Sequence, residues 1–139
     1  MSGNVRQLRE RAPDSEKVTI NLSYVDLGRV DLLVQEGFYQ NRTDFIRTAI
    51  RNQLTTHAPE VTRSIDRHSL ELGLRDITSV DLEAARAAGE MLHLKVVGLA
   101  RIATDVAPEL ARATIGTITV LGALQASQEV RAALADRIR

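Results

Sequence analysis

The sequence contains no cysteine, so this chain forms neither disulfide bonds nor thiolate metal sites. Aromatic residues are scarce, which disfavours recognition of single-stranded nucleic acid by base stacking. No apolar run approaches the roughly 18 residues of a membrane span, and the first residues lack the apolar core of a signal peptide. We therefore expect a cytoplasmic protein that has no membrane partner.

The chain also has no net charge, because 18 basic residues are balanced by 18 acidic ones. A neutral chain lacks the overall positive charge that supplies most non-specific affinity for nucleic acid. A neutral average still permits a locally basic surface. Arg6, Arg9 and Arg11 lie in a polar arm, residues 1–16, which we expect to be flexible and able to reach phosphates or the minor groove.

Motifs of catalysis and cofactor binding are absent as well. The sequence has no Gly-rich phosphate loop, no Ser/His/Asp set and no nucleophile elbow. The three histidines, His57, His68 and His93, form no closely spaced pair of the kind that binds a metal on a helix or strand. We expect no enzyme activity, no catalytic residue, no cofactor and no metal site.

The segment 17–23, KVTINLS, alternates polar and apolar residues as a half-buried strand does. A single strand is not stable in water, so its apolar side needs helices and its edges need a partner strand. If the partner is the same strand of a second copy, polar side chains line one face of a two-stranded ribbon. Such a ribbon fits the major groove of DNA. The polar side chains are Lys17, Thr19 and Asn21.

Two helices are predicted after this strand. Ser23 is a good N-cap for the first, because its hydroxyl can accept from the backbone N–H of Val25 or Asp26. Apolar residues then recur at helical spacing until Gly37, a natural residue after a helix end. Asn41 starts the second helix, and a second apolar stripe extends to Leu54.

The strand, the helix SYVDLGRVDLLVQEG, the corner FYQNRTDF and the helix IRTAIRNQL together resemble ribbon-helix-helix proteins of the CopG, MetJ and Arc type. The resemblance implies two intertwined chains whose paired strands enter the major groove of double-stranded DNA. It also implies that strand residues read bases and that the start of the second helix binds a phosphate. The matching base-reading positions are Lys17, Thr19 and Asn21, and the matching phosphate-binding positions are Asn41, Arg42 and Thr43.

The corner before the second helix supports phosphate binding on physical grounds too. A helix N-terminus offers unpaired N–H donors and a partial positive charge. Arg42 and Thr43 would add a cation and a hydroxyl at the same place. The simpler alternative is that Asn41 merely caps the helix and that Arg42 is a solvated surface residue.

Dimerisation follows from the size of the strand-helix-helix segment. A unit of about forty residues has too little interior to be stable alone and needs a metal, disulfides or oligomerisation. Because the chain has no cysteine, we expect an obligate homodimer. Its two-fold symmetry predicts a palindromic or directly repeated DNA site.

The second half of the chain shows an internal repeat with a spacing of 24 residues. Residues 94–98, LKVVG, match residues 118–122, ITVLG, and Leu70 and Leu72 fall in the same phase one step earlier. Units of this length predict parallel strands with helices on one side. Residues 127–138 are predicted to form a terminal amphipathic helix.

The predicted fold class is α+β, an N-terminal ribbon-helix-helix dimer joined to a small C-terminal α/β domain of repeated helix-strand units. The predicted boundaries are 17–56 for the ribbon-helix-helix domain, 57–63 for a linker and 64–139 for the C-terminal domain. We expect a sequence-specific transcriptional repressor whose C-terminal half forms higher homo-oligomers or senses a signal. Two alternatives stay open: an antitoxin with a toxin as partner, and an assembly or scaffold protein that does not bind DNA.

Overall fold

A computed structural model describes residues 15–139, so the predicted arm contacts Arg6, Arg9 and Arg11 lie outside the described residues. The described chain is α+β and divides into two compact units, Ser15–Arg63 and Ser64–Arg139. In chain order the elements are α1 (Tyr24–Gln35), α2 (Arg42–Thr56), α3 (Ala58–His68), β1 (Glu71–Ile77), α4 (Ser79–Ala87), β2 (Leu92–Ile102), α5 (Pro108–Thr114), β3 (Ile115–Gln125) and α6 (Gln128–Ala133).

The limits of α1 are set by residues that the sequence identifies. The Ser23 hydroxyl accepts a hydrogen bond from the Asp26 backbone N–H at 3.1 Å, as predicted for an N-cap. At the other end Gly37 takes a φ of 88°, and the Phe38 N–H donates to the Leu33 carbonyl oxygen. This Schellman-type ending turns the chain toward α2.

Residues 17–23 belong to no sheet within the described chain, although the sequence predicts a strand there. All of these residues are exposed, and their apolar side chains Val18, Ile20 and Leu22 contact water. A strand is defined by its hydrogen-bonded partner, and the predicted partner is a second copy of the same segment. The ribbon therefore stays a prediction.

The segment 57–63 was expected to be a linker, but most of it lies in helix α3. Pro59 occupies the first turn of α3. A helix tolerates proline in its first turn because the missing N–H has no partner there anyway. The segment is thus helical, and its role as a linker stays a prediction.

Ser64–Arg139 contains a three-stranded parallel sheet in the order β1-β2-β3, as the repeat predicted. Helix α5 packs between α4 and α6, and all three helices contribute to one core on one side of the sheet. Ile77, Leu94 and Ile118 supply strand side chains to that core, and Leu82 and Val130 supply helix side chains.

The strand pairing follows the predicted repeat between β2 and β3 but not between β1 and β2. Gly98 pairs with Gly122, a spacing of 24, whereas Gly73 pairs with Gly98, a spacing of 25. The predicted phase of Leu70 and Leu72 is therefore wrong by one residue.

The three paired glycines form a row across the sheet in which side chains are excluded. Gly73, Gly98 and Gly122 all have φ between 120° and 134°. A Cβ at Gly98 would lie 2.3 Å from the Gly73 carbonyl oxygen, and one at Gly122 would lie 2.0 Å from the Gly98 oxygen. Neighbouring backbones thus approach too closely for any side chain at these two positions.

The C-terminal helix is shorter than predicted. Helix α6 ends at Ala133 instead of continuing to residue 138. The chain then turns back, and the Ile118 N–H donates to the Arg137 carbonyl oxygen at 2.9 Å. Ile138 therefore lies beside β3 in a parallel bridge, which local helical periodicity does not reveal.

Candidate nucleic-acid interface

The predicted base-reading side chains are accessible. Lys17, Thr19 and Asn21 are exposed, and Ser23 at the end of the segment has extended backbone angles. The single chain leaves both sides of the segment uncovered. It therefore presents the polar side without yet burying the apolar one, which is the state expected of one half of a ribbon.

The start of α2 has the geometry predicted for it. Asn41 is the N-cap, and its side-chain oxygen accepts from the Asp44 N–H at 2.8 Å. The Asp44 carboxylate in turn accepts from the Gln40 N–H at 3.0 Å, one residue earlier than in a standard capping box. These two bonds fix the chain direction at the corner.

The N–H groups of the first helical residues, Arg42 and Thr43, have no intrahelical acceptor because of helix geometry. Both point to the N-terminal end of α2, where the helix dipole is positive. The Thr43 side chain is exposed at the same place. Backbone donors, dipole and hydroxyl together form a surface suited to an anion.

The Arg42 guanidinium is already engaged. Its Nε and one terminal nitrogen donate to the two carboxylate oxygens of Asp31 on α1, each at 2.8 Å. This bidentate hydrogen bond lowers the pKa of Asp31 and raises the pKa of Arg42. Both side chains are about half exposed, so the pair lies at the surface and joins the two helices.

The structure thus brings Asn41, Arg42 and Thr43 together at the start of α2 and leaves the strand residues exposed in the preceding segment. Asp31, which the sequence analysis missed, contacts this candidate site through Arg42. It lies eleven positions before Arg42, and their contact depends on the angle between α1 and α2. No local pattern of charges predicts such an angle.

The apolar residues of Ser15–Arg63 are mostly uncovered. Among the described residues of this unit, Val30 is the buried hydrophobic side chain, with 5% of its surface exposed. Tyr39 and Phe45 pack edge to face with ring centroids 5.0 Å apart and support the corner. The exposed large hydrophobic side chains are Val18, Ile20, Leu22, Tyr24, Val25, Leu32, Phe38, Ile50, Leu54 and Val61.

Residues 15–139 also bear on metal sites and membrane spans. That part of the chain contains no group of three or more histidine, aspartate or glutamate side chains placed to hold a metal ion. None of its helices combines the length and the apolar character that crossing a bilayer requires. His93 instead donates to or accepts from Thr117 on the neighbouring strand, at 2.9 Å.

The comparisons with known proteins agree with the local geometry. Neither a curated protein nor a solved structure matches the chain. The family model of ribbon-helix-helix transcriptional regulators matches residues 13–131, which is most of the sequence. With capped helices α1 and α2 following an alternating segment, the chain belongs to the ribbon-helix-helix transcriptional regulator family.

Proposed function

We propose that this chain is a sequence-specific DNA-binding repressor that acts as a homodimer and reads the major groove with a two-stranded ribbon. Residues 17–23 of two copies would pair to form the ribbon. The observation that carries the proposal is the uncovered apolar surface of Ser15–Arg63, a unit whose described residues include Val30 as their one buried hydrophobic side chain. A unit this small and this open gains a core by pairing with a second copy.

In the proposed dimer the apolar side of the ribbon packs on the helices, which leaves its polar side to face DNA. Lys17 suits the acceptor atoms of guanine, and Asn21 suits the donor and acceptor of adenine. Thr19 can contact either base edges or a thymine methyl group. These three side chains would carry the sequence discrimination.

The start of α2 would hold the DNA backbone. The helix N-terminus and the Thr43 hydroxyl can bind a phosphate without any rearrangement of the described chain. Arg42 is hydrogen-bonded to Asp31. It can contribute its charge to a phosphate either by contacting both groups at once or by leaving Asp31. Such contacts would fix the position of the dimer on DNA and carry no sequence information.

The antitoxin alternative is less well supported than the regulator. An antitoxin tail of the usual kind gains its structure on the toxin. Ser64–Arg139 has a core of its own in the single chain, with Leu82, Ile118 and Leu134 fully buried. This core favours a regulator whose second half is folded before any partner binds.

The experiment begins with a duplex selected from a random library by the wild-type protein. Thr19→Ala combined with Asn21→Ala should abolish preference for the selected duplex over a scrambled one, while weak, salt-sensitive binding to both persists. The matched control, Asn52→Ala with Thr62→Ala, changes the same residue types outside the ribbon and should keep the preference. Unchanged discrimination by the ribbon variant in gel shifts would refute base reading.

A further inference from the structure

One face of the three-stranded sheet is covered by helices, and the opposite face, here called the outer face, carries two apolar rows. Strand pairing aligns Leu72, Val97 and Leu121 in the first row. It aligns Leu74, Leu99 and Ala123 in the second row, two residues further along each strand. Side chains two residues apart on a strand share a face, so the rows lie side by side.

The outer leucines are open to water in the single chain. Leu72 is 69% exposed, Leu74 is 57% exposed and Leu121 is 60% exposed. Leu99, in the middle strand between Leu74 and Ala123, is only 9% exposed. No described segment of the chain therefore covers the band. A contiguous apolar patch of this kind marks an interaction surface.

Polar rows bound the band at both ends. At one end Arg101 donates to the Gln125 side chain at 3.0 Å and lies 3.9 Å from the Asp76 carboxylate. At the other end Lys95 pairs in register with Thr119. An apolar centre with a polar rim is the usual composition of a protein interface.

The parallel strands also indicate that the outer face is covered in the functional assembly. Sheets made of parallel strands almost always have both faces buried. The helices α4, α5 and α6 cover one face here. The other face still needs a layer of about the same apolar character.

We propose that the outer face packs against the outer face of a second copy of this chain. A two-fold axis across the strands places the first row of one copy on the second row of the other, so each copy supplies the layer that the other lacks. This orientation sets Lys95 of one copy against Arg101 of the other, whose charge is partly offset by the Asp76 carboxylate 3.9 Å away. A two-fold axis along the strands would instead set Lys95 against Lys95 of the second copy, which is unfavourable.

This proposal rests on the proposed function in one respect, namely that the ribbon dimer brings a second copy close. The ribbon dimer would hold two C-terminal units in one molecule, which raises their effective concentration for each other. The match of the two rows does not depend on that dimer. The contact would join the C-terminal units within one dimer or between dimers, and molecular mass in sedimentation equilibrium tells these two arrangements apart.

The test uses the full chain, whose lack of cysteine lets one introduced thiol report on one position. Val80 on α4 is the control, since it is 75% exposed and lies on the helix layer. The thiol of Leu74→Cys should react with Ellman's reagent about tenfold more slowly than that of Val80→Cys, because a covered site reacts only when the contact opens. Adding Leu121→Glu should restore fast reaction. Equal rates for the two single variants would overturn the proposal.

A cross-link identifies the occupant. In the proposed orientation Leu72 of one copy lies opposite Leu74 of the other, and packed sheets lie about 10 Å apart. That distance is too long for a disulfide, so the double variant Leu72→Cys with Leu74→Cys should instead give a covalent dimer with a short bismaleimide, as seen on a denaturing gel. Val80→Cys should stay monomeric on that gel. Slow thiol reaction without an intermolecular cross-link would mean that the chain covers its own face, and the proposal would fail.

The outcome is separable from that of the proposed function. Outer-face variants retain residues 17–56, so they should still shift the selected duplex. If the cysteine variants cross-link but the wild-type protein binds no DNA, the proposed regulator function is refuted and the outer-face contact still stands.

Discussion

Truncation of Ile20 tests whether the apolar side of the ribbon holds the dimer together. Ile20 is 55% exposed in the single chain, so pairing can cover about half of its side chain. Ile20→Ala removes three carbon atoms, and at about 0.8 kcal/mol per buried CH₂ the half-covered group contributes about 1.2 kcal/mol per copy. Two copies per dimer give about 2.4 kcal/mol, which corresponds to a roughly 50-fold rise in the dimer dissociation constant.

The dissociation constant can be measured by sedimentation equilibrium over a dilution series. Thr19→Ala is the control, because Thr19 is the neighbouring residue on the opposite side of the strand and should leave the dimer intact. An unchanged dissociation constant for Ile20→Ala, or an equal weakening of the dimer by both variants, would contradict this role of Ile20.

Three further predictions concern the stability of the fold. Gly98→Ala combines a φ of 134° with a Cβ 2.3 Å from the Gly73 oxygen, so unfolding in urea should show a loss of at least about 3 kcal/mol. Gly28→Ala, in a helix with nothing within 4 Å, should instead add up to about 1 kcal/mol. The hydrogen bond from Arg112 lowers the pKa of Asp136; its stabilisation is therefore present above the usual carboxyl pKa and is lost as pH falls through the lowered value. The urea midpoints of wild type and Asp136→Asn should accordingly converge below about pH 4, and a gap independent of pH would contradict this.

Features of the fold that depend on neighbouring residues were predictable from the sequence. The caps at Ser23 and Asn41 each join a side chain to a backbone group three residues away, so the contact is local. Gly37 ends α1 because a positive φ there favours glycine. Such signals do not require knowledge of the rest of the fold.

The 24-residue repeat predicts the strand register correctly between β2 and β3 but not between β1 and β2. The pairing of Gly98 with Gly122 follows the 24-residue period, and the extra residue between β1 and β2 displaces Gly73 from it. An insertion in a connection leaves strand patterns intact, so the sequence alone gives the strands but not their register. The register is determined by the hydrogen bonds between neighbouring strands.

The part of the candidate site that escaped prediction depends on packing between helices. The Arg42–Asp31 pair requires a particular crossing of α1 and α2, which apolar stripes restrict but do not determine. The helical structure around Pro59 depends on the surrounding chain in the same way, since a proline can follow one helix or start another.

Engagement of arginines by carboxylates has a consequence for DNA binding. Between residues 15 and 63, Arg29, Arg42 and Arg63 each lie within 4 Å of an acidic side chain. A phosphate must compete with that carboxylate before the arginine can neutralise it. The dimer should therefore neutralise fewer than about six phosphates, and the slope of log affinity against log salt should be shallower than about −5.

Removing the competitor of Arg42 makes this expectation quantitative. Asp31→Asn keeps the size of the side chain but removes its charge, so the Arg42 guanidinium becomes free for a phosphate in each copy of the dimer. Affinity for the selected and the scrambled duplex should rise alike, and the salt slope should steepen by about one per arginine. Asp26→Asn, which frees Arg29 on α1 instead, is the matched control and should leave the slope nearly unchanged. A gain in affinity confined to the selected duplex would show that Arg42 reads bases, and an unchanged slope for Asp31→Asn would exclude Arg42 from the phosphate contacts.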